Sequence, residues 1–406
     1  MIEIRPCKDK EELDAYGRVV AYVFANNDTS DVEHELATTQ PDWTTCAFVD
    51  GKLVSTMGTF PFTVRLNGAP MAMGGVTAVG TLPEQRRKGH LRKVMTLGLE
   101  TMRDRGQSCA ILWASMGAIY QRFGYGLAST HVSYRFDPRF AQLASDVPVT
   151  GSVSLESKDD AYPVIKQVYI QAATPRNLHI HRSAVLWDMS TLRPRKKDDK
   201  TYVAIHRDED GDARGYVVYH TKEGDHEGSG PNQVMAVRDF VALDMDAWRA
   251  LWDYIRRHDL VGRVEMDGCI GEDDPAPYLL LEPRMLNRRT GDAIWLRVVD
   301  VEKALPQRPY GDRGEFVFTV AGDDVCPWNN GTFLLETDGM TTELRRSDRA
   351  ADLTVSPNAL ASLLAGHRTA TYLSRAGRLE AKDRAALRTA DRLFQTEYPP
   401  HCPDGF

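Results

Sequence analysis

Hydrophobic and polar positions in the first part of the chain alternate between helical and strand spacing. Residues 11–24 carry apolar side chains every three or four positions, which predicts an amphipathic helix. Asp50-Gly51 and Asn67-Gly68 are typical of tight hairpin turns, because these residues accept positive φ angles. The strands predicted around these turns are 46–49, 53–60, 62–66, 71–73 and 76–81.

A second helix is predicted after the strand 76–81. Its apolar positions are Leu91, Val94, Met95, Leu99 and Met102. Arg103 and Arg105 precede Gly106, and cations followed by glycine are typical of a helix end. A strand at 108–114 and a short helix at 116–123 follow, so the order of elements predicts a mixed α/β fold.

The rest of the chain first repeats this order of strands and helices more weakly, and the hydrophobic pattern changes again from about residue 291. Further helices are predicted at 162–172, 247–257, 356–365 and 385–394, and strands at 202–205, 215–219, 234–243, 262–266, 294–299 and 315–320. We predict three domains, at residues 1–138, 139–290 and 291–406. Proline residues exclude a helix from the tail that begins at Thr396.

Composition and charge exclude several classes of protein. The 406 residues include 31 glycines and 21 prolines, an ordinary usage that excludes collagen-like and wholly disordered chains. No uncharged apolar run reaches the roughly 18–20 residues of a membrane helix, so we expect a cytoplasmic protein with no membrane partner. A net charge of −7 argues against nucleic-acid binding, and scattered cysteines argue against a disulfide framework or a metal site.

A basic loop with the sequence RRKG, residues 86–89, joins the strand 76–81 to the second helix. A helix start presents unpaired N–H groups and the positive end of the helix dipole, so it favours an anion. Gly89 lets the backbone approach a ligand closely, and the neighbouring cations add charge. The loop therefore has the outline of a pyrophosphate site, although an ordinary charged turn would show the same residues. It matches neither the dinucleotide nor the Walker A fingerprint.

Two segments and the last residue together resemble a known family. Arg86-x-x-Gly89 resembles motif A of the GNAT N-acetyltransferases, which bind the pyrophosphate of acetyl-CoA. RRKGHLRKVM, IYQRFGYGLAS and the terminal Phe406 resemble the Eis (enhanced intracellular survival) aminoglycoside acetyltransferases. This resemblance implies two tandem GNAT domains, the second degenerate, and then a sterol-carrier-like α+β domain. Leu91 departs from the general GNAT motif, which usually has glycine or alanine there.

The resemblance also implies which residues bind acetyl-CoA. The backbone of Val79 and Thr81 would pair with the pantetheine arm. The other cofactor-binding residues that it implies are Gly80, Arg87, Lys88, Gly89, His90, Leu91, Arg92, Ser115 and Met116. Ser115 and Met116 would lie near the thioester.

Tyr120 is the candidate general acid. A phenol with a pKa near 10 stays protonated at neutral pH and can protonate a departing thiolate. Tyr125 is the rival, but it lies beyond the helix-breaking Gly124. In the Eis group the general base is the terminal carboxylate, which the resemblance assigns here to Phe406.

An acceptor with several amines calls for acidic residues in its pocket. The candidate substrate-binding residues are Phe24, Asp28, Glu33 and Asp404. Asp31 and Glu35 lie beside Asp28 and Glu33 in the sequence. Taken alone, each carboxylate is better explained by a solvated surface position, and Phe24 is equally compatible with a place in the core.

We therefore predict an acetyl-CoA-dependent N-acetyltransferase that acts on primary amines of aminoglycosides, an antibiotic-resistance activity, by direct attack in a ternary complex. The resemblance implies a homohexamer. The alternatives are an acetyltransferase of protein lysines or other amines and a noncatalytic acyl-CoA sensor, and the C-terminal domain could bind lipid.

Overall fold

The computed structural model describes residues 1–25, 38–145, 147–193, 200–224 and 229–406. Its strands, in chain order, are β1 (Ile2–Arg5), β2 (Cys46–Val49), β3 (Lys52–Leu66), β4 (Ala69–Thr81), β5 (Cys109–Trp113), β6 (Gly126–Leu127), β7 (Thr130–Phe136), β8 (Ser152–Glu156), β9 (Tyr202–Arg207), β10 (Ala213–Glu223), β11 (Gln233–Ala242), β12 (Val261–Ile270), β13 (Arg289–Asp292), β14 (Ile294–Val298), β15 (Gly314–Val320), β16 (Gly331–Thr337), β17 (Thr342–Arg346), β18 (Leu353–Val355) and β19 (Leu379–Ala381).

Helices alternate with these strands, so the predicted mixed α/β class is confirmed. The α-helices are α1 (Lys10–Val23), α2 (His90–Asp104), α3 (Gly117–Gln121), α4 (Lys158–Ala173), α5 (Ala184–Leu186), α6 (Met245–Arg256), α7 (Ala276–Leu279), α8 (Val301–Gln307), α9 (Pro357–Leu364), α10 (Ala370–Arg375) and α11 (Arg384–Leu393). Among the described helices, none is long and apolar enough to cross a membrane.

The described residues form two compact units. Unit 1 contains residues 1–128, 294–396 and 406, and unit 2 contains residues 129–293 and 397–405. The strand pairing crosses two of the boundaries predicted above, and the three-domain division itself stays a prediction. β7 pairs in the sheet of unit 2, although it precedes residue 138, and β14 pairs with β5 and β6 in unit 1.

The first sheet of unit 1 has the strand order β1-β2-β3-β4-β5-β14-β6. Both predicted hairpin turns are present, with positive φ at Asp50, Gly51, Asn67 and Gly68. The short strands predicted on either side of Asn67-Gly68 merge into two long strands, because β3 and β4 stay paired from Leu66↔Ala69 to Ser55↔Thr81.

Helices α1 and α2 each bury the apolar stripe that the sequence predicts. In α2, Val94, Met95 and Leu99 are fully buried, and they share a core cluster with Met57 of β3. In α1, Leu13, Tyr16, Val19 and Val20 pack with Phe48 and Leu53. Burial of each such side chain contributes about 1.5–3 kcal/mol.

The second sheet of unit 1 has the order β17-β16-β15-β18-β19 and is packed by α8, α10 and α11, whereas α9 packs on β14 and β6 of the first sheet. A buried ion pair fixes this part of unit 1. Nη2 of Arg297, on β14, donates to both carboxylate oxygens of Asp323 at 2.6 Å. Neither side chain is accessible to solvent by more than 2%, so the charges are satisfied within the protein.

Unit 2 contains one sheet, with the order β13-β7-β12-β11-β10-β9-β8. One core cluster surrounds Trp248 and Trp252 of α6, and another surrounds Tyr169 of α4 with Trp187. Residues 397–405 of the tail belong to this unit, and none of them is helical, as predicted.

Candidate active site

A cleft opens in unit 1 where the parallel strands β4 and β5 separate. They pair only from Met73↔Cys109 to Gly75↔Ile111. Beyond Gly75, β4 continues along β3 to Thr81, whereas β5 ends at Trp113. A cavity of about 570 Å³ lies at this end of the strands, the edge at which α/β sheets commonly bind ligands.

A β-bulge at Ala78 turns β4 toward this cavity. Thr56 pairs with Gly80, but Gly58 pairs with Thr77, so β4 carries one extra residue and Ala78 takes a φ of 51°. The hydroxyl of Thr56 donates to the Ala78 carbonyl at 2.8 Å and holds the bulge. After it, the consecutive residues Val79, Gly80 and Thr81 all line the cavity.

The start of α2 forms an anion site at the other wall. Gly89 is the N-cap with a φ of 81°, and no side chain caps the helix, so the first N–H groups of α2 are left for a ligand. Most predicted members of the basic loop and helix start line the cavity: Arg86, Arg87, Gly89, His90, Leu91 and Arg92. Lys88 is outside this lining, and its Nζ donates to Gln85 at 3.1 Å. This uncapped helix start suits a diphosphate.

His90 is a second sign that this site receives a ligand. The side chain is 7% exposed and lines the cavity, yet neither ring nitrogen has a hydrogen-bond partner among the described residues. Burial lowers the pKa of His90, and Lys88 and Lys93 lower it further. The imidazole is therefore neutral near pH 7 and can offer one N–H to an anion.

Tyr120 lies in the same cavity as the anion site, together with Ser115 and Met116. It is 6% exposed. Burial raises the pKa of Tyr120, and a hydrogen bond with Ser115 works in the opposite direction. The phenol therefore remains protonated at neutral pH, as a general acid requires.

Tyr125 is outside the cavity lining and fully buried. Its ring lies edge-on to Tyr120 with centroids 6.0 Å apart, and its hydroxyl has no hydrogen-bond partner among the described residues. Burial raises the pKa of Tyr125 strongly. A buried hydroxyl of this kind cannot protonate a ligand in the cavity.

Asn358, at the start of α9, fixes the short segment that follows Tyr120. Its Nδ2 donates to the Tyr125 carbonyl at 2.6 Å and to the Gln121 carbonyl at 2.9 Å. Gly126 permits this approach, since a Cβ there would lie 2.0 Å from the Asn358 carbonyl oxygen. Sequence reasoning missed Asn358 because more than 200 residues separate the partners and no motif marks them.

Phe406 ends a row of aromatic rings, two of which, Phe60 and Phe62, lie on β3. Its ring is edge-on to Phe62 at 5.0 Å between centroids, Phe62 lies 5.8 Å from Phe60, and Phe60 lies 6.1 Å from Trp43. Phe62 covers Gly75, where a Cβ would lie 2.2 Å from the ring. Gly75 is the last residue at which β4 pairs with β5, so the ring of Phe62 lies where the cleft opens. Phe406 packs against that ring but is outside the lining of the cavity that contains Tyr120. The i, i+2 spacing of Phe60 and Phe62 is a signal for one shared strand face.

The predicted acceptor residues have different positions. Phe24 lines the cavity and is 48% exposed, so it is not a core residue of α1. Asp28 and Glu33, like Asp31 and Glu35, lie outside the described residues.

Asp404 does not fit the prediction of an open acidic pocket. It is fully buried in unit 2, and Nε of Arg182 donates to its carboxylate at 2.7 Å. The carboxylate is thus paired inside the protein, which corrects the expectation that it is available to a cationic acceptor.

Comparisons with known families divide the chain into three matched regions. Residues 3–128 and residues 178–298 each match an acetyltransferase (GNAT) domain family, and residues 301–403 match the sterol carrier protein domain family. The tandem GNAT arrangement followed by a sterol-carrier-like domain is thus confirmed.

Relatives and solved structures extend this similarity along most of the chain. An uncharacterized N-acetyltransferase of Streptomyces griseus is 30% identical over 370 residues, which cover 89% of this chain and 88% of the relative. The N-acetyltransferase Eis of Mycobacterium tuberculosis is 30% identical over 335 residues, covering 80% and 78%. The crystal structure of Eis1 from Mycobacterium abscessus aligns over 100% of both chains, with a TM-score of 0.85 and 29% identity. An N-acetyltransferase structure from Anabaena variabilis, 21% identical, shares the fold over 100% of both chains with a TM-score of 0.89.

Proposed function

The chain belongs to the Eis-type N-acetyltransferases of the GNAT superfamily, and on that basis we propose that its acceptors are primary amines of aminoglycosides. It is an acetyl-CoA-dependent enzyme. The observation that carries the proposal is that the uncapped start of α2 and the buried phenol of Tyr120 line one cavity. The acidic sequence that follows Phe24, with four carboxylates between Asp28 and Glu35, suits a polycationic acceptor.

The proposed cofactor site runs along β4 and the start of α2. Acetyl-CoA, when bound, supplies an acetyl thioester. Backbone groups of Val79 and Thr81 would hold the pantetheine arm, and the N–H groups after Gly89 would bind the diphosphate, with Arg87 and Arg92 adding positive charge. Ser115 and Met116 lie at the thioester end.

In the proposed reaction, two groups of the chain move protons. The carboxylate of Phe406 takes a proton from the acceptor amine, since an α-carboxyl is ionised at neutral pH. Tyr120 donates its phenolic proton to the leaving sulfur. Because burial raises the pKa of Tyr120, the phenol still carries this proton before the reaction. Ser115 orients the Tyr120 hydroxyl. The amine attacks directly, without a covalent enzyme intermediate.

Mass spectrometry of an amine panel tests this proposal. The panel contains several aminoglycosides, a lysine-rich protein and a simple alkylamine, each incubated with acetyl-CoA and the wild-type chain. We expect acetylated aminoglycosides as the main products. A strong preference for the lysine-rich protein would favour a protein acetyltransferase instead. Tight acetyl-CoA binding with no product from any amine would favour the acyl-CoA sensor.

The family resemblance also leads us to propose a homohexamer. Sedimentation velocity of the purified chain should then give a single species of six chain masses. A monomer at micromolar concentration would contradict this part of the proposal.

A further inference from the structure

Tyr120 lies on a helix that is too short to hold its own position. Helix α3, Gly117–Gln121, has five residues, and isolated helices shorter than about 12–15 residues are marginal in water. A turn follows it directly. The N–H of Phe123 donates to the Tyr120 carbonyl at 2.9 Å, and the N–H of Gly124 donates to the Gln121 carbonyl at 3.1 Å. The position of the phenol therefore depends on what packs against α3 and this turn.

The side-chain amide of Asn358 joins the two ends of the turn. Its Nδ2 donates to the Gln121 carbonyl at 2.9 Å and to the Tyr125 carbonyl at 2.6 Å. The N–H of Tyr125 in turn donates to the Tyr120 carbonyl at 3.3 Å. An amide nitrogen of this kind carries two hydrogens, so Asn358 uses both of them on the segment that carries Tyr120.

Asn358 extends from a helix that is fixed at both ends. At the start of α9, the hydroxyl of Ser356 accepts from the N–H of Ala359 and caps the helix. At the other end, Nε of the buried Arg308 donates to the Leu364 carbonyl at 2.9 Å. Helix α9 also packs on β14 and β6. The amide is therefore held by a rigid element of unit 1, as precise positioning requires.

Close contacts with β14 and α9 limit the movement of α3 and its turn. Gly124 has a φ of 80°, and a Cβ there would lie 2.8 Å from the Arg297 guanidinium and 2.9 Å from Cβ of Pro357. At the start of α3, a Cβ on Gly117 would lie 2.7 Å from the indole of Trp295. The turn is thus enclosed by packing on one side and tied by Asn358.

We infer that Asn358 is a positioning residue, which holds the hydroxyl of Tyr120 in the cavity by fixing the turn that follows it. A shift of about 1 Å in a reacting group can cost about 10²-fold in rate. Through Asn358, the sterol-carrier-like part of unit 1, residues 301–396, acts on the reaction although none of its described residues lines the cavity. This inference rests on the proposed function, because it takes Tyr120 as the general acid.

Two full-length variants and one matched control test the inference. Asn358→Asp keeps the shape of the side chain and removes the Nδ2 donor, and an acidic residue suits the first turn of a helix. Asn358→Ala removes the donor without adding a charge. Asn67→Asp is the control, because its Nδ2 also donates to a backbone carbonyl, that of Pro309 at 2.9 Å, and Asn67 is outside the cavity lining. Thermal melts show whether each variant folds.

The first readout is amide hydrogen exchange of residues 117–125, and the second is kcat and KM for acetyl-CoA. In both Asn358 variants we expect faster exchange of this segment and a fall in kcat of roughly 10- to 100-fold. KM for acetyl-CoA should change little, because the anion site at α2 is untouched. Asn67→Asp should alter neither readout. Unchanged exchange in the folded Asn358 variants would overturn the fixing of the turn, and faster exchange with unchanged kcat would overturn the positioning role.

A double-variant cycle shows whether Asn358 acts through Tyr120. Asn358→Ala should lower kcat in the wild-type background but cause no further loss in Tyr120→Phe, because the hydroxyl that it positions is already gone. An equal loss of kcat in both backgrounds would overturn the inference, since a contact that only supports the fold does not depend on that hydroxyl.

Tyr120→Phe by itself separates this inference from the proposed function. If that variant keeps the wild-type kcat, Tyr120 is not the acid and the proposed mechanism fails with it. If Tyr120→Phe lowers kcat while the Asn358 variants do not, only the positioning role fails.

Discussion

At the scale of single residues, Tyr120 lines the cavity whereas its neighbour Tyr125 is fully buried outside it. The two should therefore respond differently to the loss of the hydroxyl. Tyr120→Phe removes the proposed acid, so kcat should fall by roughly 10²- to 10⁴-fold with little change in KM for acetyl-CoA. Tyr125→Phe removes a buried hydroxyl without a partner in the described structure, so activity should stay within about two-fold and stability should not decrease. Steady-state kinetics of both variants check this. Equal losses of kcat would remove Tyr120 from its assigned role.

His90 should link acetyl-CoA binding to pH. Burial keeps its pKa low in the free protein, whereas a bound diphosphate would raise it by favouring the charged form. Binding should therefore take up a proton, and affinity should increase as the pH falls toward the pKa of the free protein. Calorimetric titration of acetyl-CoA in buffers of different ionisation enthalpy measures that proton. His90→Phe should lose the part of the uptake that belongs to this residue; identical uptake in both proteins would contradict the assignment.

Residue chemistry was predictable from sequence where it is local. Gly89, His90 and Tyr120 lie within short segments whose spacing marks them, and they line one cavity. Asn358 and Phe62 were not predictable, because their contacts join residues far apart in the chain. The partner of Asp404 was missed for the same reason: an acidic residue in a proline-rich tail gives no sign of a buried arginine.

At the scale of elements, β3 and β4 form a ladder in which Gly75 clears space for Phe62. Gly75→Ala would put a Cβ 2.2 Å from that ring and push Phe62, which contacts Phe406. We expect a loss of about 1–3 kcal/mol of stability from overpacking, and a fall in kcat that exceeds any change in KM for acetyl-CoA. Gly291→Ala is the control, because no atom lies within 4 Å of the place that its new methyl group would occupy. Normal kcat in a folded Gly75→Ala protein would show that Phe62 does not influence the base.

Helices and strands with a clear hydrophobic periodicity were predicted with nearly correct bounds. The order of the strands in the sheets was not predicted. The predicted helix at 385–394 corresponds to α11, Arg384–Leu393, because its apolar positions and the Asp383 N-cap are local signals. β14 was predicted as a strand, but its partners β5 and β6 could not be inferred, since strand order depends on packing across the whole unit. The bulge at Ala78 was also missed, because alanine gives no sign of a positive φ.

At the scale of the whole molecule, acid stability should depend on His367. Burial lowers the pKa of His367 from 6.5 to about 4, and neither ring nitrogen has a hydrogen-bond partner in the described structure. The folded protein thus binds this proton less readily than the unfolded chain. Stability is fully present above pH 6.5 and falls as the pH drops toward 4, by about 3 kcal/mol in all.

Thermal melts of wild type and His367→Phe between pH 7 and pH 4 test this. The variant has no proton to take up at this position, so its melting temperature should fall less steeply with acid. The same slope in both proteins would show that other groups control acid unfolding.

During synthesis, the position of β14 between β5 and β6 delays the completion of the first sheet. The ribosome completes both neighbours before it makes residues 129–293, and only then the strand that bridges them. At about 5–20 residues per second this delay lasts about ten to thirty seconds. For that interval β5 has one unpaired edge and β6 has no partner strand, and both are sites for pairing with the wrong chain. A fragment that stops at residue 128 would carry them permanently.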